Sequence, residues 1–225
     1  MSEYHLDLSK LPLDWLRRKI ESHEIVPARR ILQEKVPERF AALRRAGMET
    51  VADLVSALKT REHIQAVADR SSLPEDYLLW LGREARSYKP NPFALREIPS
   101  VDSAAIARLE GVGVKTTKAL FDRAAAKDGR LRLVEETGVA ERSLVDLVKL
   151  ADLARIRGMG KTFVRLFSGA GADSVAELAE CDPVELHERL YSINEKRKLS
   201  SVVPSLKDVA EYVEMANELP KIVES

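Results

Sequence analysis

Apolar residues recur at spacings of three and four along most of the chain, which is the period of an amphipathic helix. The clearest example is the stretch 144–156, which we expect to form one helix that runs straight into Arg157. A second amphipathic helix is predicted at residues 11–22. Runs that alternate between apolar and polar residues, as β-strands would, are few. The pattern therefore predicts an all-α protein.

The helical pattern also repeats. Residues 43–85 align without a gap with residues 109–151, at an offset of 66 that places Gly47 on Gly113. A third copy follows at an offset of 58, where Gly171 takes the same place. Each glycine follows an apolar helix end and precedes a Thr or Ser by three residues, which favours a left-handed helix end and then an N-cap. We therefore predict an N-terminal helix followed by three short helical repeat units.

Prolines mark the best domain boundary. Pro90, Pro92 and Pro99 forbid a continuous helix and favour an extended connector. No such break separates the second unit from the third, so we expect these two to pack as one body. The predicted organisation is an N-terminal arm and capping helix at 1–30, degenerate repeat unit 1 at 31–88, a proline-rich connector at 89–97, degenerate repeat unit 2 at 98–155, repeat unit 3 with an intact glycine hairpin at 156–219, and a tail at 220–225.

Composition is that of an ordinary globular protein, with 45% apolar and 32% charged residues. The chain has no stretch of about eighteen consecutive apolar residues, which disfavours a membrane span. Cys181 is the single cysteine, so an intrachain disulfide framework and a cysteine-rich zinc site are both excluded. These features predict a cytoplasmic protein.

Charge is unevenly distributed although the formal net charge is zero. Residues 105–165 hold 13 Lys and Arg against 8 Asp and Glu, whereas residues 166–225 hold 6 against 12. A basic middle beside an acidic end has two interpretations. The middle binds an anionic partner, or the two faces attract each other.

Glycines occupy the predicted hairpin position in the third unit only, as Gly158 and Gly160. The corresponding stretches of the first and second units contain the acids Glu34 and Asp102. Glycines let a phosphate approach the backbone, and the free N–H groups of the following helix then point at it. The predicted nucleic-acid-binding residues are Arg155, Arg157, Gly158, Gly160, Lys161, Thr162 and Arg165.

The segment resembles the helix-hairpin-helix superfamily, whose apolar-x-Gly-apolar-Gly-x motif matches residues 156–161 and whose Ala-Gly-apolar-x-Thr turn matches residues 170–174. Residues 31–219 are also similar to a bacterial domain family of unknown function built from such units. The resemblance implies an all-α fold with an N-terminal helix plus three helix-hairpin-helix-like repeat units. It also implies either DNA-backbone binding without sequence reading or a protein-packing module.

No catalytic constellation is visible in the sequence. The Gly-Lys-Thr at 160–162 is not a nucleotide-binding P-loop, because Arg155 stands where that motif requires glycine. We expect a non-enzymatic module without cofactor or metal that binds the backbone of DNA or RNA. The alternative is a protein–protein interaction scaffold or adaptor that binds no nucleic acid, and neither hypothesis involves a membrane.

Overall fold

The computed structural model describes residues 4–22 and 27–223. Over these residues the regular secondary structure is helical, and the only β-type pairing consists of two isolated bridges. The all-α prediction is therefore confirmed. Parts of the predicted arm (residues 1–3 and 23–26) and of the predicted tail (residues 224–225) lie outside the described residues. Within the described residues, no helix combines the length and the apolar character needed to cross a membrane.

The chain divides into two compact units. The N-terminal unit is Asp7–Tyr88, and the C-terminal unit is Lys89–Ser225 together with Met1–Leu6. The predicted arm and capping helix at 1–30 are therefore divided, because residues 4–6 pack with the C-terminal unit. The C-terminal unit contains both the second and the third predicted repeat.

The N-terminal unit is a small helical bundle. Its helices are α1 (Leu13–Ser22), α2 (Val36–Arg45), α3 (Val51–Ala57), α4 (Arg61–Ser71) and α5 (Glu75–Ser87), with a 3-10 segment at Pro27–Gln33. Helix α5 packs on α3 and α4, and α1 packs on α2. Leu16 and Ile20 of α1 are buried, as the apolar stripe at 11–22 predicts.

The C-terminal unit begins with a 3-10 segment at Leu95–Glu97. Its helices are α6 (Ser103–Gly111), α7 (Thr117–Ala124), α8 (Lys127–Thr137), α9 (Glu141–Leu153), α10 (Lys161–Gly169), α11 (Val175–Ala179), α12 (Pro183–Arg197) and α13 (Leu206–Glu218). Helix α9 contacts α7, α8, α10 and α11, and α13 packs on α11 and α12. Helix α9 therefore forms the centre of this unit.

Helix α9 ends at Leu153, so the prediction of one helix through residue 156 was wrong. The amide of Arg155 bonds to the carbonyl of Asp152 at 3.1 Å, and that of Ile156 bonds to Leu153 at 3.1 Å. These bonds span three residues rather than four, which tightens the last turn. The chain then leaves the helix axis before it reaches the glycines.

Three turns share one geometry, at Gly47, Gly113 and Gly171, with φ of 87°, 83° and 81°. In each turn the next amide bonds back to the carbonyl five residues earlier, which satisfies the end of the preceding helix. These bonds are Met48 to Leu43 at 3.2 Å, Val114 to Leu109 at 2.9 Å and Ala172 to Phe167 at 3.1 Å. The hydroxyls of Thr50, Thr116 and Ser174 then cap the following helices. The cap chemistry predicted from the sequence is confirmed.

The backbone amide of the residue after each cap donates to an acceptor outside its own helix. The amide of Val51 donates to the carbonyl of Leu11 at 2.9 Å, and the amide of Thr117 donates to Phe93 at 3.0 Å. In both cases a chain segment beside the turn supplies a main-chain acceptor. At the third turn, the amide of Val175 donates to a side-chain oxygen of Asp152 at 2.8 Å instead. At the third turn a buried carboxylate thus accepts the amide hydrogen bond that main-chain carbonyls accept at the other two turns.

Gly113→Ala should lower the free energy of unfolding by about 1 to 2 kcal/mol, because alanine disfavours the left-handed backbone. An added Cβ would meet nothing within 4 Å at this position, so the expected loss is a backbone effect alone. Urea denaturation measures it. Gly111→Ala is the matched control, since this residue closes α6, has no positive φ and also has open space around it. A loss of similar size in the control would contradict the explanation.

Candidate nucleic-acid interface

The glycine hairpin, residues 156–160, joins α9 to α10. Gly158 has φ of +81°, the left-handed conformation that glycine favours. The amide of Met159 donates to Ile156 at 3.0 Å and that of Gly160 donates to Gly158 at 2.9 Å. Met159 is buried, which anchors the hairpin to the core. The backbone is therefore held in one shape before α10 begins.

Gly158 faces the protein itself. A Cβ at this position would lie 3.3 Å from the hydroxyl oxygen of Tyr212 on α13. That hydroxyl donates to the Gly158 carbonyl at 3.4 Å, and the ring packs edge-on against Phe167 with 5.3 Å between centroids. Burial raises the pKa of Tyr212 to about 12, so the hydroxyl remains a donor at neutral pH. Glycine at 158 is thus explained by backbone conformation and by packing.

Gly160 is different, because nothing in the fold requires a glycine there. Its φ is −78° and ψ is 174°, values open to any residue, and an added Cβ would meet nothing within 4 Å. It is the N-cap of α10 and brings no side-chain acceptor. The first amides of a helix have no partner within it, so those of Lys161, Thr162 and Phe163 need an acceptor from outside α10, and Gly160 has no side chain to supply one.

The second predicted hairpin shows what an anion would do at this position. Ser100 and Asp102 precede Gly158 and Gly160 by 58 residues, and Ser100 also has a positive φ, of 57°. Asp102 caps α6, and its carboxylate accepts the amide of Ala104 at 2.9 Å. The residue at the same offset on α10 is Thr162. An anionic oxygen therefore already occupies on α6 the place that is open on α10.

The first predicted hairpin offers fewer donors. Lys35 is the N-cap of α2, with φ of 48°, and Pro37 in the first turn of that helix carries no N–H. Glu34 lies in the same loop, where it pairs with Arg39 at 3.3 Å. This loop is a poor place for a phosphate.

Three of the predicted cations lie around the open end of α10. The Lys161 side chain is 54% exposed, and its ammonium lies 3.9 Å from the carboxylate of Glu97, whose side chain is 47% exposed. Such an exposed ion pair stabilises little, so Lys161 is available to an external anion. Arg165 lies one turn further on the same side of the helix, half-buried, and Arg157 is also half-buried in the hairpin.

Arg155 is not part of this surface, which corrects the prediction made from the sequence. The residue is 2% exposed. The guanidinium donates to the carbonyl of Tyr4 at 3.2 Å and to that of Pro220 at 2.9 Å, and it lies 4.6 Å from the centre of the Phe121 ring. The sequence could not show this, because these partners are up to 151 residues away along the chain.

Arg155 also forms a buried ion pair with Asp152. The second carboxylate oxygen of Asp152 is the one that accepts the amide of Val175 at the start of α11. Burial raises the pKa of the Asp152 carboxyl, and the adjacent guanidinium opposes that shift. The pair thus links residue 4, the end of α9, the start of α11 and the segment after α13.

Within the described residues, no group of three or more His, Cys, Asp or Glu side chains could hold a metal ion. A cleft of about 440 Å³ opens beside the second predicted hairpin, lined by Glu97, Ser100, Ser103 and Glu110 among others. Of its carboxylates, Glu97 pairs with Lys161 and Glu110 pairs with Arg96.

Residues 99–219 match the model of the family described as "Domain of unknown function (DUF4332)". The chain belongs to this family. The match lies within the C-terminal unit and contains α6–α13 with the glycine hairpin, but it begins later than the 31–219 range expected from the sequence. No solved structure matches the chain. Membership of the helix-hairpin-helix superfamily stays a prediction.

Arg155→Met should lower the free energy of unfolding by about 3 to 5 kcal/mol, because it leaves the Asp152 carboxylate buried without its counterion. Chemical denaturation followed by circular dichroism measures this. The control is Arg142→Met, at an exposed position of α9. For this variant we expect the free energy of unfolding to change by no more than about 0.5 kcal/mol. Equal losses in the two variants would contradict the assigned role of Arg155.

The two hairpin glycines should respond differently to substitution. Gly158→Ala is expected to cost about 1 to 2 kcal/mol, since alanine disfavours positive φ and its Cβ also presses on Tyr212. Gly160→Ser should change stability by only a few tenths of a kcal/mol, because serine is a good N-cap. Thermal denaturation of both variants tests the difference, and a larger loss in Gly160→Ser would reverse the assignment.

Proposed function

We propose that the C-terminal unit is a non-enzymatic module that binds the phosphodiester backbone of nucleic acid through the N-terminus of α10. Gly160, Lys161 and Thr162 form the contact, and Arg157 and Arg165 flank it. The observation that supports this most is Gly160, a glycine that the fold does not require. Its effect is to keep the first amides of α10 open to an anion.

The charges support the same proposal. A helix N-terminus carries about half a positive charge and presents N–H donors, which favours phosphate. Arg157, Lys161 and Arg165 add three cations nearby. With about three phosphates neutralised, the logarithm of the binding constant should fall with the logarithm of salt concentration with a slope of about −3. Binding at physiological salt should then be weak, with a Kd of about 10⁻⁴ to 10⁻⁶ M.

Such contacts carry no base readout. Backbone amides and the charged ends of lysine and arginine side chains recognise phosphates, whereas base sequence is read by side chains that reach base edges in a groove. The first residues of α10 are a lysine and a threonine beside an open glycine, and the flanking arginines supply positive charge for phosphates. We therefore expect equal affinity for oligonucleotides of different sequence.

The hairpins before α2 and α6 are interpreted as copies of the unit that precedes α10. Ser100 and Gly158 each have a left-handed backbone two residues before the N-cap of the helix that follows, whereas in the first hairpin the left-handed residue is the N-cap itself, Lys35. We infer that the three hairpins are related helix-hairpin-helix-like units, of which only the third keeps an open helix end. In the second, the carboxylate of Asp102 occupies the place of the ligand.

A protein-interaction scaffold is the second candidate, and exposed apolar residues on α12 favour it. Val184 and Tyr191 are each 52% exposed, and the Tyr191 ring packs edge-on against His187 at 5.0 Å. Aromatic residues on a surface are frequent anchors of protein interfaces. On this hypothesis nucleic acid is not a ligand.

Gly160→Asp is the sharpest test, because it copies Asp102 of the second hairpin onto α10. The new carboxylate should accept the open amides, repel phosphate and abolish binding, while an N-cap aspartate raises stability by up to about 1 kcal/mol. Fluorescence anisotropy with labelled single- and double-stranded oligonucleotides at about 50 mM salt measures binding. Lys161→Gln should weaken binding uniformly and reduce the salt slope by about 1.

Ser201→Asp in an exposed loop after α12 is the control, since it adds the same charge elsewhere. It should retain binding within about twofold of the wild type. Equal affinity of Gly160→Asp and the wild type would place the contact elsewhere on the molecule. Failure of the wild type to bind either oligonucleotide at low salt would reject the nucleic-acid proposal and favour the scaffold.

A further inference from the structure

Residue 4 is fastened to the C-terminal unit by several contacts. Tyr4 is fully buried, its hydroxyl shares a hydrogen bond of 2.8 Å with that of Thr117, and its ring packs edge-on against Phe121 with 5.4 Å between centroids. Its carbonyl accepts a hydrogen bond from Arg155 at 3.2 Å. The segment formed by residues 4–6, which we call the arm segment, is therefore held against α7 and the end of α9.

His5 lies in an environment that suits only a neutral ring. It is half-buried, its ring packs edge-on against Tyr4 at 4.9 Å, and its Nδ1 atom is buried without a hydrogen-bond partner among the described residues. A protonated imidazole would need an acceptor at that nitrogen. The unpaired nitrogen therefore makes protonation costly while the arm segment stays in place.

The charges around His5 have the same effect. Lys89 contributes from the first residues of the C-terminal unit, Lys118 from α7 and Arg155 from the turn after α9, and all three are cations. Asp122 on α7 is an acid that acts on this ring in the opposite sense, and it already pairs with Lys118. Burial, followed by these cations, holds the pKa of His5 below its ordinary value.

We propose that the arm segment is an acid-sensitive strap: it docks on the C-terminal unit while His5 is neutral and is released when His5 is protonated. Release removes the Tyr4 ring from Thr117 and Phe121 and takes one acceptor from Arg155. The strap thus couples the pH to the buried ion pair of Arg155 and Asp152. The device is independent of any nucleic acid, so its test does not depend on the proposed function.

The direction of the pH effect follows from the two states. A released histidine titrates near pH 6.5, whereas the docked histidine titrates lower. The released state therefore takes up more protons as the pH falls, and the docking equilibrium constant decreases by up to about tenfold for each pH unit. The loss begins near pH 6.5 and ends below the pKa of the docked ring. The Tyr4 hydroxyl takes no part, because burial raises its pKa to about 12.

NMR on the full chain between about pH 8 and about pH 5 tests the strap. The measured signals are the cross-peak between the Tyr4 ring and the Thr117 methyl group, which reports docking, and the ring protons of His5, which report its titration. We expect the cross-peak to weaken as His5 becomes protonated. His5→Gln should keep the cross-peak at every pH, since glutamine cannot take up the proton. His187→Gln on α12 is the control and should show the wild-type profile.

A second variant keeps the test decisive if His5→Gln disturbs docking itself. Lys118→Met retains His5, removes one cation and leaves Asp122 to face the ring, so it should raise the pKa of His5 and reduce the pH dependence of docking. Three results would each overturn the strap: a docked His5 that titrates at or above about pH 6.5, a Tyr4 cross-peak that survives protonation of His5, or an unchanged pH profile in Lys118→Met.

Discussion

The buried ion pair of Arg155 and Asp152 is the interaction on which the C-terminal unit depends. Removing two charges from water is costly, and the cost is offset here because both partners make further hydrogen bonds. The guanidinium reaches the carbonyls of Tyr4 and Pro220, and the carboxylate accepts the amide of Val175. Segments from both ends of the unit and from its middle thus meet at one pair. Because each segment supplies a single group that the pair needs, the departure of any one of them leaves a buried charge with one hydrogen bond fewer.

The glycine hairpin directly follows this pair along the chain. With Arg155 held inward, the tightened turn at the end of α9 directs residues 156–160 toward α13, and Tyr212 packs on Gly158. Gly160 is then left on the outer side, where a Cβ would meet nothing. One glycine therefore serves packing and the other leaves a helix end accessible. The packing of the hairpin and the proposed anion contact thus involve different glycines, so the two can be altered independently.

The hairpins before α6 and α10 illustrate how a small substitution changes the chemistry of a shared backbone. Ser100 and Gly158 both have positive φ, and Asp102 and Gly160 are both N-caps. An aspartate at that position satisfies the helix end internally, whereas a glycine leaves the amides to an external partner. The two hairpins differ here in one side chain, while both have a residue of positive φ two positions before an N-cap with extended backbone. Charge at the cap, rather than fold, distinguishes an occupied helix end from an open one.

The amino-acid sequence by itself determined the helical class, the three glycine turns and their hydroxyl caps, because these depend on residues within a few positions of each other. It also indicated the hairpin of residues 156–160. The tertiary structure alone decided that Arg155 is buried, that Gly158 faces Tyr212 and that residues 4–6 belong with the C-terminal unit. The partners in those contacts are 151, 54 and 113 residues apart along the chain. Proximity along the chain placed Arg155 with the other arginines, but desolvation and pairing with distant carbonyls determined where its charge lies.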